Sequence, residues 1–128
     1  MLPKAVLAGG VLLVLAGCRA NPYHADVSGR VLYESRGLAH LITVQTSEAD
    51  RIEGGLLRVR ANLKNDTRDD LWVDVQTVWK QNGFEKYRTS WAPLMLPARF
   101  EQTYEVASLN ADVDDYELRF RKPTRTEE

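Results

Sequence analysis

Cysteine is almost missing from this chain: Cys18 stands alone among 128 residues. No internal disulfide can form, so the core must hold the fold by packing alone. Neither sign of charge dominates, with 17 Lys and Arg against 18 Asp and Glu and a formal net charge of −1. Both signs are interspersed, which excludes the basic stripe that a nucleic-acid surface needs. No apolar run reaches the roughly 20 residues of a membrane-spanning helix. Helical spacing, low-complexity stretches and internal repeats are also wanting. No Gly-x-Ser-x-Gly elbow surrounds Ser28, Ser35, Ser47, Ser90 or Ser108, and no glycine loop is arranged to cradle phosphate. No catalytic constellation emerges, and no cofactor is expected.

What is present begins with an address. One positive charge, Lys4, precedes an uncharged apolar run from Ala5 to Ala16, about the length of a signal-peptide core. The run closes on Leu15-Ala16-Gly17-Cys18, small residues directly before a cysteine. This arrangement resembles the bacterial lipobox, in which the cysteine becomes the lipidated first residue of the mature chain. The resemblance implies that residues 1–17 are removed, that Cys18 carries the lipid, and that its thiol is consumed as a thioether. More than one acyl chain, at about 0.8 kcal/mol per buried CH₂, suffices for stable anchoring. In Gram-negative bacteria an aspartate after the cysteine favours retention in the inner membrane. Here Arg19 takes that place, so the expected address is the outer membrane, with the domain facing the periplasm.

Residues 18–29 are polar and contain Pro22 and Gly29, which reads as a tether. Residues 30–122 are then one small domain, and residues 123–128 a frayed tail. Val31–Tyr33 and Leu38–Val44 are apolar enough for strands, although Leu41 and Ile42 sit side by side. Glu48–Gly55 is charged and ends in two glycines, which predicts a loop. Leu57, Val59, Ala61 and Leu63 alternate with Arg58, Arg60, Asn62 and Lys64, the pattern of a half-buried strand. After the polar turn Asn65–Asp70 the alternation resumes with Leu71, Val73, Val75, Thr77 and Trp79. Asn82-Gly83 accepts the positive φ angles of a tight hairpin, so Phe84–Thr89 should fold back. Pro93 and Pro97 mark a crossing segment. Phe100–Val106 is a further strand, Asn110–Asp115 an acidic loop, and Tyr116, Leu118 and Phe120 a last strand. About seven short strands with regular turn signals predict an all-β, antiparallel, immunoglobulin-like sandwich.

From Leu38 to Lys122 the chain resembles the YcfL family of small bacterial lipoproteins, a domain of unknown function. The residues that carry the resemblance are Leu38-Ala39 with Ile42 and Val44, then Gly54-Gly55-Leu56-Leu57-Arg58-Val59, Asn65, Trp79 and Gly83. Trp91, Pro93, Leu94, Leu96 and Asp115-Tyr116-Glu117-Leu118-Arg119-Phe120 continue it in order. Lys80-Gln81-Asn82 departs from it, where an aromatic and an aspartate would follow Trp79. The resemblance implies an outer-membrane lipoprotein with a β-sandwich, and it brings no activity.

Candidate sites are few. A histidine pair, His24 and His40, would need a third partner for metal or base work. Asp112, Asp114, Asp115 and Glu117 suggest a calcium loop but lack its ligand spacing and central glycine, so a solvated turn with Glu117 facing outward is expected. Asn65-Asp66-Thr67 matches a glycosylation sequon that means little in a bacterial envelope. Trp79 should be core, and Trp91 a core plug with its indole N–H on a backbone oxygen. Trp72 falls on the face opposite Leu71, Val73 and Val75, so Trp72 beside Val78 is the candidate partner surface. The leading expectation is a non-enzymatic accessory or assembly factor that binds another envelope protein. The alternative is a small-ligand or cell-wall-fragment binder, and a hydrolase built from His40 and the acidic loop ranks last.

Overall fold

The computed structural model describes residues 29–123. The leader, Cys18, His24 and residues 18–28 of the tether lie outside the described residues. Eight strands follow one another: β1 (Val31–Tyr33), β2 (Ile42–Arg51), β3 (Leu57–Asn65), β4 (Leu71–Gln81), β5 (Phe84–Arg88), β6 (Ala92–Leu96), β7 (Glu101–Ala107) and β8 (Asp115–Arg121). They form two sheets, which is the expected all-β sandwich. In the first, β4 is central: β8 lies along one side, followed by β1, while β5 and β6 share the other side. The second sheet has the order β2-β3-β7. All pairings are antiparallel except β1 with β8, which is parallel. Alternation tells which face a side chain takes but not the direction of the neighbouring strand, and β1 has three residues in which to show anything.

The facing sides of the sheets make the core. Val73, Val75 and Trp79 of β4, Tyr116, Leu118 and Phe120 of β8, and Val31 and Tyr33 of β1 pack with Leu57, Val59, Ala61 and Leu63 of β3. Trp79, Tyr33, Phe120, Leu38, Leu63 and Leu96 are fully buried. Each such side chain contributes about 1.5–3 kcal/mol on burial. That is how a domain without a disulfide offsets its chain entropy.

Three segments differ from the sequence reading. Leu38 is not in a strand but in a 3-10 turn, Arg36–His40, where it plugs one end of the core. Adjacent Leu41 and Ile42 cannot both face inward from one strand, and the turn before them lets Leu38 reach the core while Ile42 starts β2. β2 runs on through Glu48 to Arg51, where a loop was expected. Its charges are cross-strand partners, Glu48 opposite Arg60 and Asp50 opposite Arg58; Arg58 Nη2 lies 2.8 Å from Asp50 Oδ2. Opposite charges at facing positions support a strand as well as apolar pairs do. Finally, the segment with Pro93 is itself a strand, β6, which among the described residues pairs with β4 alone. An edge strand tolerates the missing N–H. The hairpin matches expectation, with φ of 55° at Asn82 and 87° at Gly83.

Candidate functional site

The sandwich has two distinct ends. Arg30 binds Asp115 at the start of β8 with Nε to Oδ1 at 2.7 Å, and the Asp114 N–H donates to the Lys80 carbonyl. The Ser108 N–H donates to the Leu57 carbonyl. So the point where the chain enters the domain, the Asn82-Gly83 turn and the loop before β8 share one end, the near end. At the far end the Asp66 N–H reaches the Leu41 carbonyl, the Ala98 N–H reaches Asp70, and the Lys122 N–H reaches the Ser35 hydroxyl.

This geometry separates the residues a hydrolase would need. His40 belongs to the far-end turn, whereas Asp112, Asp114 and Asp115 belong to the near end. The seven residues of β8 lie between them, about 23 Å at 3.3 Å per residue. The three aspartates also diverge. Asp112 pairs with Lys86 at 3.0 Å, Asp114 accepts from the Asn82 N–H, and Asp115 pairs with Arg30. Burial raises the Asp115 carboxyl, but its bonds to the Arg30 guanidinium and the Tyr116 N–H outweigh that and hold it below the usual range. Among the described residues no three His, Cys, Asp or Glu side chains gather as a metal site. No helix among them is long and apolar enough to cross a membrane.

Asn65 is not available to a glycosyl group in the folded chain. It is fully buried, and its amide donates to the carbonyls of Leu96 and Asp69 while its oxygen accepts from the Thr67 N–H and hydroxyl.

The two residues of the candidate partner surface part company. Trp72 is 56% exposed, on the outer face of the first sheet, opposite Met95 of β6 in the same register. Val78, on the same face, is 1% exposed. It stands opposite Arg88 on β5 and Glu117 on β8, with Gln76 and Lys80 two places away on its own strand. Long stems from four sides cover a short β-branched side chain, so Val78 drops out of the candidate surface. Glu117 corrects a second reading. It does not sit in a solvated turn but in the middle of β8, buried, with Lys80 at 3.8 Å and Arg119 at 3.5 Å. Arg119 also reaches Glu34 at 3.6 Å. Beside this lattice, Gln76 Oε1 and Arg119 Nε, on facing residues, are buried and have no hydrogen-bond partner among the described residues. Trp91 is no core plug either: it is half-buried between β5 and β6, and the Arg121 guanidinium stacks 4.1 Å from its ring centre.

Sequence reasoning missed a groove of about 320 Å³ at the near end. It lies where β2 runs on beyond β1, between Ser47, Glu48 and Ala49 on one side and Arg30, Asp115 and Tyr116 on the other. Its polar groups already bind one another: Arg30 to Asp115, and the hydroxyls of Ser47 and Tyr116 at 2.5 Å. The extension of β2 past Glu48, hidden by its charges, was the signal that would have found it.

No family model matches the chain, and no curated protein is similar to it. Among solved structures, it is similar to cj0090 of Campylobacter jejuni with a TM-score of 0.61 and 16% identity, over 73% of this chain and 98% of that one. It is similar to a DUF1425 family member from Shewanella sp. pv-4 with a TM-score of 0.58 and 23% identity, over 66% of this chain and 81% of that one. Both are bacterial domains of unknown function. At these identities the likeness is one of fold, and the sandwich is what the three chains share.

Proposed function

We propose that this chain is an outer-membrane lipoprotein, anchored through Cys18, whose sandwich docks another envelope protein in the periplasm and performs no catalysis. The observation that carries the docking reading is the Trp72–Met95 pair: a large aromatic side chain, more than half exposed, stands on the central strand of the first sheet beside a polarizable thioether. Tryptophan on a rigid strand is the residue type that most often anchors an interface, because it brings large area at low entropy cost. The anchor is supported by the sequence Leu15-Ala16-Gly17-Cys18. Ligand binding in the near-end groove ranks below it, since a ligand would first have to break the Arg30–Asp115 and Ser47–Tyr116 contacts.

Gentle detergent extraction followed by native electrophoresis tests the docking. The wild-type chain should migrate in a complex larger than itself, and Trp72→Ala should release it while leaving it folded. Equal migration of the two would remove Trp72 from any interface. Cys18→Ala should move the folded chain from the membrane pellet to the soluble periplasmic fraction, and retention in the pellet would end the anchoring reading.

A further inference from the structure

The near end carries two exposed apolar side chains that the docking surface does not use: Phe84, 76% exposed beside the hairpin turn, and Leu109, 82% exposed in the loop before β8. We propose that this end rests on the lipid leaflet that holds Cys18, with Phe84 and Leu109 dipping among the headgroups. The proposal rests on the lipid anchoring of Cys18.

Chain length and where the chain enters the domain carry the argument. Residues 18–28 can reach at most roughly 40 Å, the contour length of eleven residues. They lead to Arg30, which is tied to Asp115 at the near end. β4, with 11 residues, runs the length of the sandwich, about 36 Å. Standing the domain the other way up would place Arg30 that far from the leaflet and hold the tether close to full extension. The near end therefore meets the lipid first, at high effective concentration.

The charges of this end fit a zwitterionic surface. Its acidic loop has Asp112 paired with Lys86, Asp115 with Arg30, and Asp114 with the Asn82 N–H. Arg51 is likewise tied to the carbonyls of Gly55 and Ala111. Neither sign is left dominant, and phenylalanine and leucine are the apolar half of an interfacial contact. The same orientation points Trp72, near the far end of the outer face, away from the membrane and toward periplasmic proteins.

Site-directed spin labelling of the full lipidated chain in phosphatidylethanolamine–phosphatidylcholine vesicles tests this. Lipidation occupies the Cys18 sulfur, so Phe84→Cys, Leu109→Cys and Trp72→Cys each offer one thiol. All three positions are exposed, and the fold should accept the changes. Collisions with oxygen, which concentrates in lipid, should rise relative to those with a water-soluble nickel complex at positions 84 and 109, and not at 72. Equal accessibility at all three positions on vesicle-bound protein would overturn the proposal and leave the anchor intact. Protection from both reagents at 84 and 109 would mean contact with a second copy and would overturn it as well. Protein that labels at position 18 and fails to float with the vesicles would remove the anchor and this inference together.

Discussion

Replacing Asn65 should be the most damaging single change of a polar side chain. Asn65 ends β3 in one sheet, and its Nδ2 donates to Leu96 of β6 in the other at 2.8 Å and to Asp69 at 2.9 Å. Its Oδ1 accepts from the Thr67 N–H and hydroxyl, each at 2.8 Å. Asn65→Ala removes all four bonds. Lost bonds contribute about 1 kcal/mol each. Allowing for partial relaxation, the loss should be about 3–4 kcal/mol, a large share of the 5–15 kcal/mol typical of a domain. Urea unfolding followed by circular dichroism would show it as a lowered midpoint with an unchanged slope. Asn65→Asp separates the two halves of the site. It keeps the acceptors for Thr67 but sets a buried carboxylate against two carbonyls, which raises its folded pKa above the unfolded value of about 3.9. Relative to wild type, that variant should therefore regain stability as the pH falls through the raised pKa. A loss below about 1 kcal/mol for Asn65→Ala, or an Asn65→Asp variant as stable as wild type at neutral pH, would mean that the Asn65 side chain does not tie the two sheets together.

Arg30→Ala should weaken the domain at neutral pH by less than about 1 kcal/mol, because both partners of the Arg30–Asp115 pair are more than a third exposed and solvent screens them. Asp115 titrates below its unfolded value, so the contribution is present above about pH 4 and fades as the pH falls through the lowered pKa; the gap between wild type and variant should narrow steadily as the pH is taken below about 4, and a constant gap in urea midpoints would contradict the assignment. Gly83→Ala forces a side chain to φ of 87° and should cost about 1 kcal/mol, read as a lower thermal midpoint; no change would mean that the turn relaxes to another type.

The strands that alternate cleanly, β3, β4 and β8, could be read from the sequence because each has one face in the core and one outside. Trp79, Leu63 and Phe120 were legible for the same reason. What resisted reading depended on neighbours the chain meets only in space. The second half of β2 looks like a loop until Glu48 and Asp50 find Arg60 and Arg58 across the sheet. Val78 and Glu117 take the outward face that the period assigns them, yet side chains from β4, β5 and β8 cover them. Trp91 looks like a plug until Arg121, 30 positions on, stacks against it. Of the candidate surface, Trp72 was legible because an aromatic on the polar side of an alternating strand breaks the pattern. Its partner Met95 was not, because β6 reads as a proline-marked crossing.

Docking of an envelope protein on the outer face around Trp72 can be tested by photo-crosslinking in living cells, with a photoreactive residue placed singly at Trp72, at Met95, and at Arg60 on the outer face of the second sheet. One discrete protein adduct should form from 72 and 95 and none from 60. Folded, membrane-held protein that gives no adduct from 72 or 95, or the same adducts from all three positions, would contradict it.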